Sequence, residues 1–546
     1  MDIQEKTRQL IDDLKSVCKS KGLGNDGNEY KIIVQIFLYK FLCDKFAHAV
    51  KQINDKLKNA DKWELEYEKM TEEERQEIFD LLDANIPRLK PEHLIAYLWN
   101  NQTTGDFDLI LDNTLLDIAE FNKKIFSTQT ADKTEIKLFE KLTVYVTDTN
   151  SRTEFARALI DKLVKFSFEE TFNKKYDFFA SIFEYLIKDY NTAGGGTYAE
   201  YYTPHSIATI IARLLVHDNA DLKNIECYDP SAGTGTLLMS IAHQIGEDKC
   251  TIFSQDISQK SQSMLKLNLI LNNLVSSLAN IIQGDTLVSP YHKNNKGDEL
   301  KQFDFVVSNP PFKMDFSETR DTLANMPARF WAGVPNIPNK DKKKMAIYTC
   351  FIQHVINSLK DTGKGAIVVP TGFITASSGI ERKILEHIVN NKIVYACVSM
   401  PANVFANTGT NVSILFFDKS HRAEKVVLID ASNLGEDYKE GDNKKIRLLQ
   451  TDIDKIVNTF HNQEAIKEFS VVITYDEIKE NNYSLSAGQY FDVEIEYIDI
   501  TEEEFNKKIA DYENNLKSFF EESRKLETDI LDSLNKIQFN KVDDEK

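Results

Sequence analysis

The six cysteines, Cys18, Cys43, Cys227, Cys250, Cys350 and Cys397, contain no CxxC pair. That scatter excludes the usual zinc spacings and a disulfide framework, and it fits a reducing cytoplasm. The ten histidines include no H-x-x-x-H pair, so no metal site is expected. The sequence has no early basic-then-apolar segment of the signal-peptide kind and no run of about 20 apolar residues able to span a bilayer. No membrane role is therefore expected. G-x-x-x-x-G-K-[ST] does not occur, which counts against a P-loop. Proline-rich tracts and internal repeats are missing. Positive charge is also in short supply, with 66 Lys and Arg against 85 Asp and Glu for a net −19. Proteins that grip nucleic acid unaided normally show a basic surface. Any such work here requires a partner that supplies much of the grip.

What is present is a chain of 546 residues, 42% hydrophobic, with length for about two to four domains. Residues 1–155 read as a helical domain. "YKIIVQIFLYKFLCDKFAHAV" carries apolar residues at helical spacing, and charged helical stretches such as "TEEERQEIFDLLDANI" follow. A further amphipathic helix, "KKYDFFASIFEYLIKDY", ends at the Gly194-Gly195-Gly196 break. Across 165–420, short apolar strands ("IECYD", "CTIFSQD", "FDFVVSN", "GAIVVP", "IVYACVSM", "VSILFFD") alternate with helix-like segments. That alternation predicts an α/β fold with a parallel sheet and helices on both faces. Residues 421–498 extend this domain. From 499 to 546, Phe505, Ile509, Tyr512, Leu516, Phe519, Leu526 and Ile530 repeat by fours and threes with Glu and Lys between them. This is the pattern of a helical tail, packed on its own domain or joined to another chain as a coiled coil.

The unusual residues stand where strands end, which is where open α/β sheets bind ligands. In "CYDPSAGTGTLL" a strand gives way to a helix through Ser231, Ala232, Gly233 and Gly235. Glycines there let backbone approach a ligand while helix N–H groups face it. Leu238 stands where a dinucleotide fingerprint wants glycine, which disfavours NAD and FAD. Asp229, just before the loop, can accept hydrogen bonds from a ligand amine or from the loop itself. Asp256 and Asp285 end the next two apolar runs, placed for ribose hydroxyls and an adenine amine respectively. Together they outline a nucleoside pocket without a phosphate clamp. In "VVSNPPFKMDF", Pro310 and Pro311 fix the backbone directly after Asn309. Neither proline has an N–H. The Asn309 side-chain oxygen and the Pro310 carbonyl therefore form a stiff acceptor pair, suited to holding an –NH2 group, and Phe312 offers a plate for a flat ring.

These stretches resemble a known family. "SNPPF" is similar to the N/D-P-P-Y/F motif of S-adenosylmethionine-dependent amino methyltransferases, and "DPSAGTG" to their cofactor loop. "YAEYYTP", "GAIVVPTGFI", "VSMPANVFANTGTNVSILFFDKS" and "YSLSAGQYF" resemble the methylation subunit of type I restriction–modification systems over most of the chain. The resemblance implies a seven-stranded methyltransferase fold and N6 methylation of adenine in DNA, with S-adenosyl-L-methionine as donor. It also implies a prokaryotic cytoplasmic complex with a specificity subunit, a restriction (translocase/nuclease) subunit and a second copy of this chain. Carried over by position, Glu200, Tyr201, Tyr202, Thr203, Pro204 and His205 lie near the donor's methionine part. Ser231, Ala232 and Gly233 form its loop, Asp256 holds the ribose, and Asp285 lies by its adenine. Asn309, Pro310, Pro311 and Phe312 form the target-base ledge. The family usually has Gly where Ala199 stands and Arg where His205 stands.

The chemistry expected is direct methyl transfer onto an adenine flipped out of double-stranded DNA, with no general base nominated. Three other readings stay open at this level. A stand-alone adenine methyltransferase would need no partner, and a protein-glutamine N5-methyltransferase would present a similar amide –NH2. A catalytically silent scaffold would bind no donor. The basic run Lys340, Lys342, Lys343 and Lys344 reads as a solvated loop or a phosphate contact.

Overall fold

A computed structural model describes residues 2–24, 27–130, 133–172, 182, 185, 203–217, 222–405, 411–420, 424–440, 443–491 and 501–535. The chain divides into two compact units, 1–491 and 492–546.

The first unit is built on strands β1 (Thr128–Thr130), β2 (Glu135–Ile136), β3 (Ile225–Asp229), β4 (Cys250–Asp256), β5 (Ile281–Gln283), β6 (Phe303–Ser308), β7 (Leu359–Pro370), β8 (Val394–Ser399), β9 (Val412–Asp418), β10 (Lys425–Asp430) and β13 (Ser470–Thr474). Strands β11 (Glu436–Glu440) and β12 (Asn443–Arg447) pair separately as an antiparallel ribbon. The main sheet runs β13-β10-β8-β9-β7-β6-β3-β4-β5-β1-β2. Its middle seven strands, β5-β4-β3-β6-β7-β9-β8, form the seven-stranded methyltransferase sheet that the resemblance implies.

The expected parallel sheet is in fact mixed, because β9 lies antiparallel to both β7 and β8. Strands joined through a full helix, as β7 and β8 are through Gly379–Asn390, run parallel. With only residues 400–411 as the link, β9 returns as a hairpin partner of β8. The central strands are buried on both faces. "FDFVVS" of β6 is accordingly almost continuously apolar, with Phe303, Val306 and Val307 at 0–1% exposure.

The order of strands locates the binding crevice. Connections from β3 move outward through β4 to β5, then return across β3 to β6. The reversal opens a crevice beyond the carboxyl ends of β3 and β6. Asp229 ends the first of these strands, and Asn309 follows the second.

Helical residues dominate the N-terminal part. The long helix Gly27–Ile53 buries Ile32, Ile33, Ile36, Phe37, Tyr39, Phe41, Phe46 and Val50. Such all-round burial is the mark of a helix at the centre of its bundle. Its Lys40–Asp44 ion pair, 2.8 Å long, is nearly buried, and Asp44 also accepts from the Phe168 amide at 2.7 Å. This part joins the sheet directly. Gln129 and Thr130 of β1 pair in parallel with Ile282 and Gln283 of β5. Lys45 Nζ donates to Asn273 Oδ1 at 2.8 Å, and Lys266 Nζ donates to the Lys137 carbonyl at 3.1 Å. The "KKYDFFASIFEYLIKDY" segment lies almost wholly outside the described residues.

In the second unit the tail forms one helix, Glu502–Asn535. Phe505, Ile509, Tyr512, Leu516, Phe519, Leu526 and Ile530 are all at least 49% exposed. The heptad stripe is therefore present and turned to solvent.

Candidate active site

Strand β3 delivers Asp229 into the interior at 1% exposure. Its Oδ1 accepts from the Ser231 amide at 2.9 Å and from the Ser231 hydroxyl at 3.4 Å. Burial pushes the Asp229 carboxyl up to about 8; the Ser231 amide opposes the rise and the nearby Asp256 adds to it. The acid therefore orders its own turn, and it also reaches the cavity beyond. Gly233 and Gly235 both sit at positive φ, 52° and 82°. A Cβ on Gly235 would meet Leu265 Cδ1 at 2.1 Å, so only glycine fits where the loop enters the helix Thr236–Ile245. Both Asp256 oxygens are engaged by backbone: Oδ2 accepts from Gly233 N and Oδ1 from Ser258 N, each at 2.8 Å. Burial raises this carboxyl as well. Asp256 thus ties the glycine loop to the end of β4.

Beyond β6 comes the proline-stiffened ledge. Asn309 is 8% exposed, and its Nδ2 donates to Thr203 Oγ1 at 3.0 Å. That bond orients the amide and leaves Oδ1 as its remaining acceptor, with no protein donor among the described residues. Ser308, one residue earlier, shares a 2.6 Å hydroxyl–hydroxyl bond with Ser231. The ledge and the glycine loop are thereby pinned together. Phe312 is half-buried, and its ring meets the edge of Tyr348 at 6.3 Å and 78°. Tyr348 in turn packs edge-on against Phe373.

A small cavity lies between these loops, lined by Thr203, Asp229, Ser231, Ala232, Thr234, Thr236, Leu237 and Asn309. Five residues singled out from the sequence thus meet at one place: Thr203, Asp229, Ser231, Ala232 and Asn309. Thr234, Thr236 and Leu237 were not singled out, although they belong to the same motif. Pro204 precedes the helix His205–Leu215, and His205 Nε2 sits 3.5 Å from Thr209 Oγ1 in its first turns. Neither residue lines the cavity. Asp285 also lies outside it, with its Oδ1 accepting from the Leu287 and Val288 amides at 2.9 and 3.1 Å. Glu200, Tyr201 and Tyr202 fall outside the described residues.

Sequence reasoning missed the support beneath these loops. Arg329, in an irregular stretch after the ledge, donates to the carbonyls of Thr286, at 2.7 Å, and of Leu287. Thr286 Oγ1 donates to the Pro230 carbonyl at 2.7 Å. Arg329 also donates to His354 Nδ1, while His354 Nε2 faces the Tyr228 hydroxyl at 3.3 Å. Burial, with Arg329 and His292 adding to it, pushes the His354 imidazole far below its ordinary range. His354 is neutral and accepts at Nδ1. One guanidinium thus fastens the Asp285 loop, which in turn holds the Asp229 loop.

Comparison with known proteins gives the family and the fold. Residues 174–499 match the N-6 DNA Methylase family. The chain is 27% identical over 570 residues to the type I restriction enzyme MpnII methylase subunit of Mycoplasma pneumoniae, covering 99% of this chain and 97% of that protein. It is 28% identical to the MjaIX methylase subunit of Methanocaldococcus jannaschii, over 70% of this chain and 67% of that one. Among solved structures, the type I restriction-modification methyltransferase subunit from Streptococcus thermophilus superposes with a TM-score of 0.71. It shares 21% identity and covers 90% of this chain and 100% of its own. That last likeness establishes the fold.

Proposed function

The chain belongs to the N-6 DNA methylase family, and from that premise we propose that it is the methylation subunit of a type I restriction–modification complex. It transfers a methyl group from S-adenosyl-L-methionine to N6 of adenine, within a DNA sequence selected by a specificity subunit. A restriction subunit and a second copy of this chain complete the assembly. The observation that carries the reading is the Asn309 amide, fixed by Thr203 on one side and by Pro310-Pro311 on the other.

The chemistry of the cavity lining suits the donor's amino acid portion. Its polar lining residues are a carboxyl, hydroxyls and one amide, and no lining side chain is basic. Such walls favour a cationic ligand without phosphate. Asp229 and Thr203 would hold the donor's amino acid portion, while Asp256 and Asp285, at the neighbouring strand ends outside this cavity, would face its ribose and its adenine. When bound, the donor supplies an electrophilic methyl carbon on a sulfonium.

The protein's own contribution is alignment of the nucleophile. An adenine amine is a poor nucleophile because its lone pair is conjugated into the ring. Asn309 Oδ1 and the Pro310 carbonyl each accept one of its hydrogens, which favours a pyramidal nitrogen with its lone pair directed at the methyl carbon. Neither proline can donate, so the ledge presents acceptors only. Positioning of this kind can contribute ~7–11 kcal/mol in favourable cases. Extruding the base costs a few kcal/mol. Stacking on Phe312 returns about 1–3 kcal/mol of that. The proton leaves after the carbon–nitrogen bond has formed, and no side chain is assigned as its base.

Isotope-labelled donor distinguishes the alternatives. The chain, with and without its specificity subunit, is incubated with DNA lacking N6-methyladenine or with a glutamine-bearing release-factor-like protein. Label in DNA only when the specificity subunit is present is the expected result. Label in DNA from the chain alone would make it a stand-alone enzyme. Label in the protein would make it a glutamine methyltransferase.

A further inference from the structure

A chain of net charge −19 has to meet a polyanion beside its reacting amide, and the ledge carries a local reversal of that charge. Met314 N donates to the Met345 carbonyl at 3.1 Å. This bond brings residues 313–315, directly after Phe312, alongside residues 342–345, although some thirty residues separate them in sequence. The two segments are tied a second time through Tyr348, whose ring touches Phe312. Lys313, Lys340, Lys342, Lys343 and Lys344 are all exposed. The two segments, residues 313–315 and 340–344, also carry two carboxylates, Asp315 and Asp341.

The two carboxylates do not neutralise the lysines. Asp341 accepts from the Lys343 amide at 3.1 Å, capping the single turn Lys342–Lys344, and sits 3.6 Å from Lys344 Nζ. Asp315 is turned to the Ser317 amide at 3.0 Å. Ser317 foremost, and Lys342 and Lys343 after it, hold the Asp315 carboxyl below its usual range, consistent with those ammonium groups lying nearby. Among the described residues Lys313, Lys340, Lys342 and Lys343 form no ion pair. Three consecutive lysines on one short turn repel one another, and a lattice of phosphates is a natural counter-charge.

We propose that Lys313, Lys340, Lys342, Lys343 and Lys344 form a phosphate grip on the DNA strand whose adenine is extruded onto the Asn309 ledge. The proposal rests on the reading of the chain as an adenine DNA methyltransferase and adds where the backbone is held. Contacts of this sort fix register and orientation and carry no sequence information. They suit a subunit whose target is chosen elsewhere, and they place the anchoring charge next to the nucleotide that must be turned out.

The test uses the complex of the full chain with its specificity subunit and DNA lacking N6-methyladenine, with kcat/KM for DNA measured across a salt series. In wild type, log(kcat/KM) falls with log salt. The combined Lys313→Gln, Lys340→Gln, Lys342→Gln, Lys343→Gln and Lys344→Gln variant is expected to show a slope shallower by about 4–5, at roughly 0.9 per lost phosphate contact. The dissociation constant for S-adenosylmethionine should stay within about twofold, since no lysine lines the cavity. The matching Lys→Arg variant should keep the wild-type slope. An unchanged slope in the glutamine variant, with wild type active on DNA, overturns the proposal alone. A wild-type complex that transfers no methyl group to DNA overturns the functional reading, and the proposal with it.

Discussion

Asp229 and Asn309 share one cavity, and of the two only Asp229 titrates. Asn309 is neutral, fixed and ready. Asp229 holds a proton up to about pH 8 because burial penalises its charge. The folded chain therefore retains a proton that the unfolded chain releases near pH 4. Stability of the ligand-free protein is then expected to fall as pH rises from about 4 to about 8. Asp229→Asn should remove that part of the decline, as followed by thermal unfolding at several pH values. Binding of a cationic donor has the reverse sign, since it favours the ionised carboxyl and should release protons below about pH 8. Calorimetry in buffers of different ionisation enthalpy measures that release. Much of this was legible at the residue scale. Strand-ending acids and an asparagine locked by two prolines are local signals, and the structure brings Asp229 and Asn309 to one cavity. Asp285 gave the same signal, and its Oδ1 caps its own turn as that of Asp229 does. Local sequence does not distinguish a ligand acid from a turn acid.

The elements were readable wherever apolar spacing was strong. The segments "IECYD" and "CTIFSQD" match β3 and β4 residue for residue. The direction of β9 was not readable, because periodicity reports burial and not which neighbour a strand pairs with. Nor were β1 and β2 foreseen, which extend the sheet from within the helical region. Their few residues carry almost no pattern. The Arg329–His354 bond was hidden for another reason: its partners lie 25 residues apart, one of them in a stretch without periodicity. Arg329→Met removes the donors to the carbonyls of Thr286 and Leu287. We expect a loss of roughly 1–3 kcal/mol in stability, the range for a buried acceptor left unpaired, seen as a lower Tm. Affinity for S-adenosylmethionine should weaken more than KM for DNA, because the loops that Arg329 fastens lie on the donor's side. Equal weakening of both would assign Arg329 to general stability only. The tail helix presents a second test at this scale. Its apolar stripe is exposed from Phe505 to Ile530, a length that suits a coiled coil with another chain. Deleting residues from 500 onward is expected to impair assembly with the specificity subunit on gel filtration, while donor binding persists.

Over the whole molecule, acidity and DNA chemistry are reconciled by division of labour. On the proposed reading, the chain would carry the reacting ledge, the donor cavity and a small basic rim. The specificity subunit would supply sequence readout in the major groove and the larger electrostatic grip. Among the described residues no helix is long and apolar enough to cross a membrane. The most direct test is made in the assembled complex with the Asn309→Ala variant. Label transferred to DNA and N6-methyladenine mapped by single-molecule sequencing are compared with wild type, and donor affinity is measured in parallel. The expected result is loss of methylation with S-adenosylmethionine binding largely kept. Near-normal turnover by Asn309→Ala would contradict the assignment of that amide as the group that holds the attacking nitrogen.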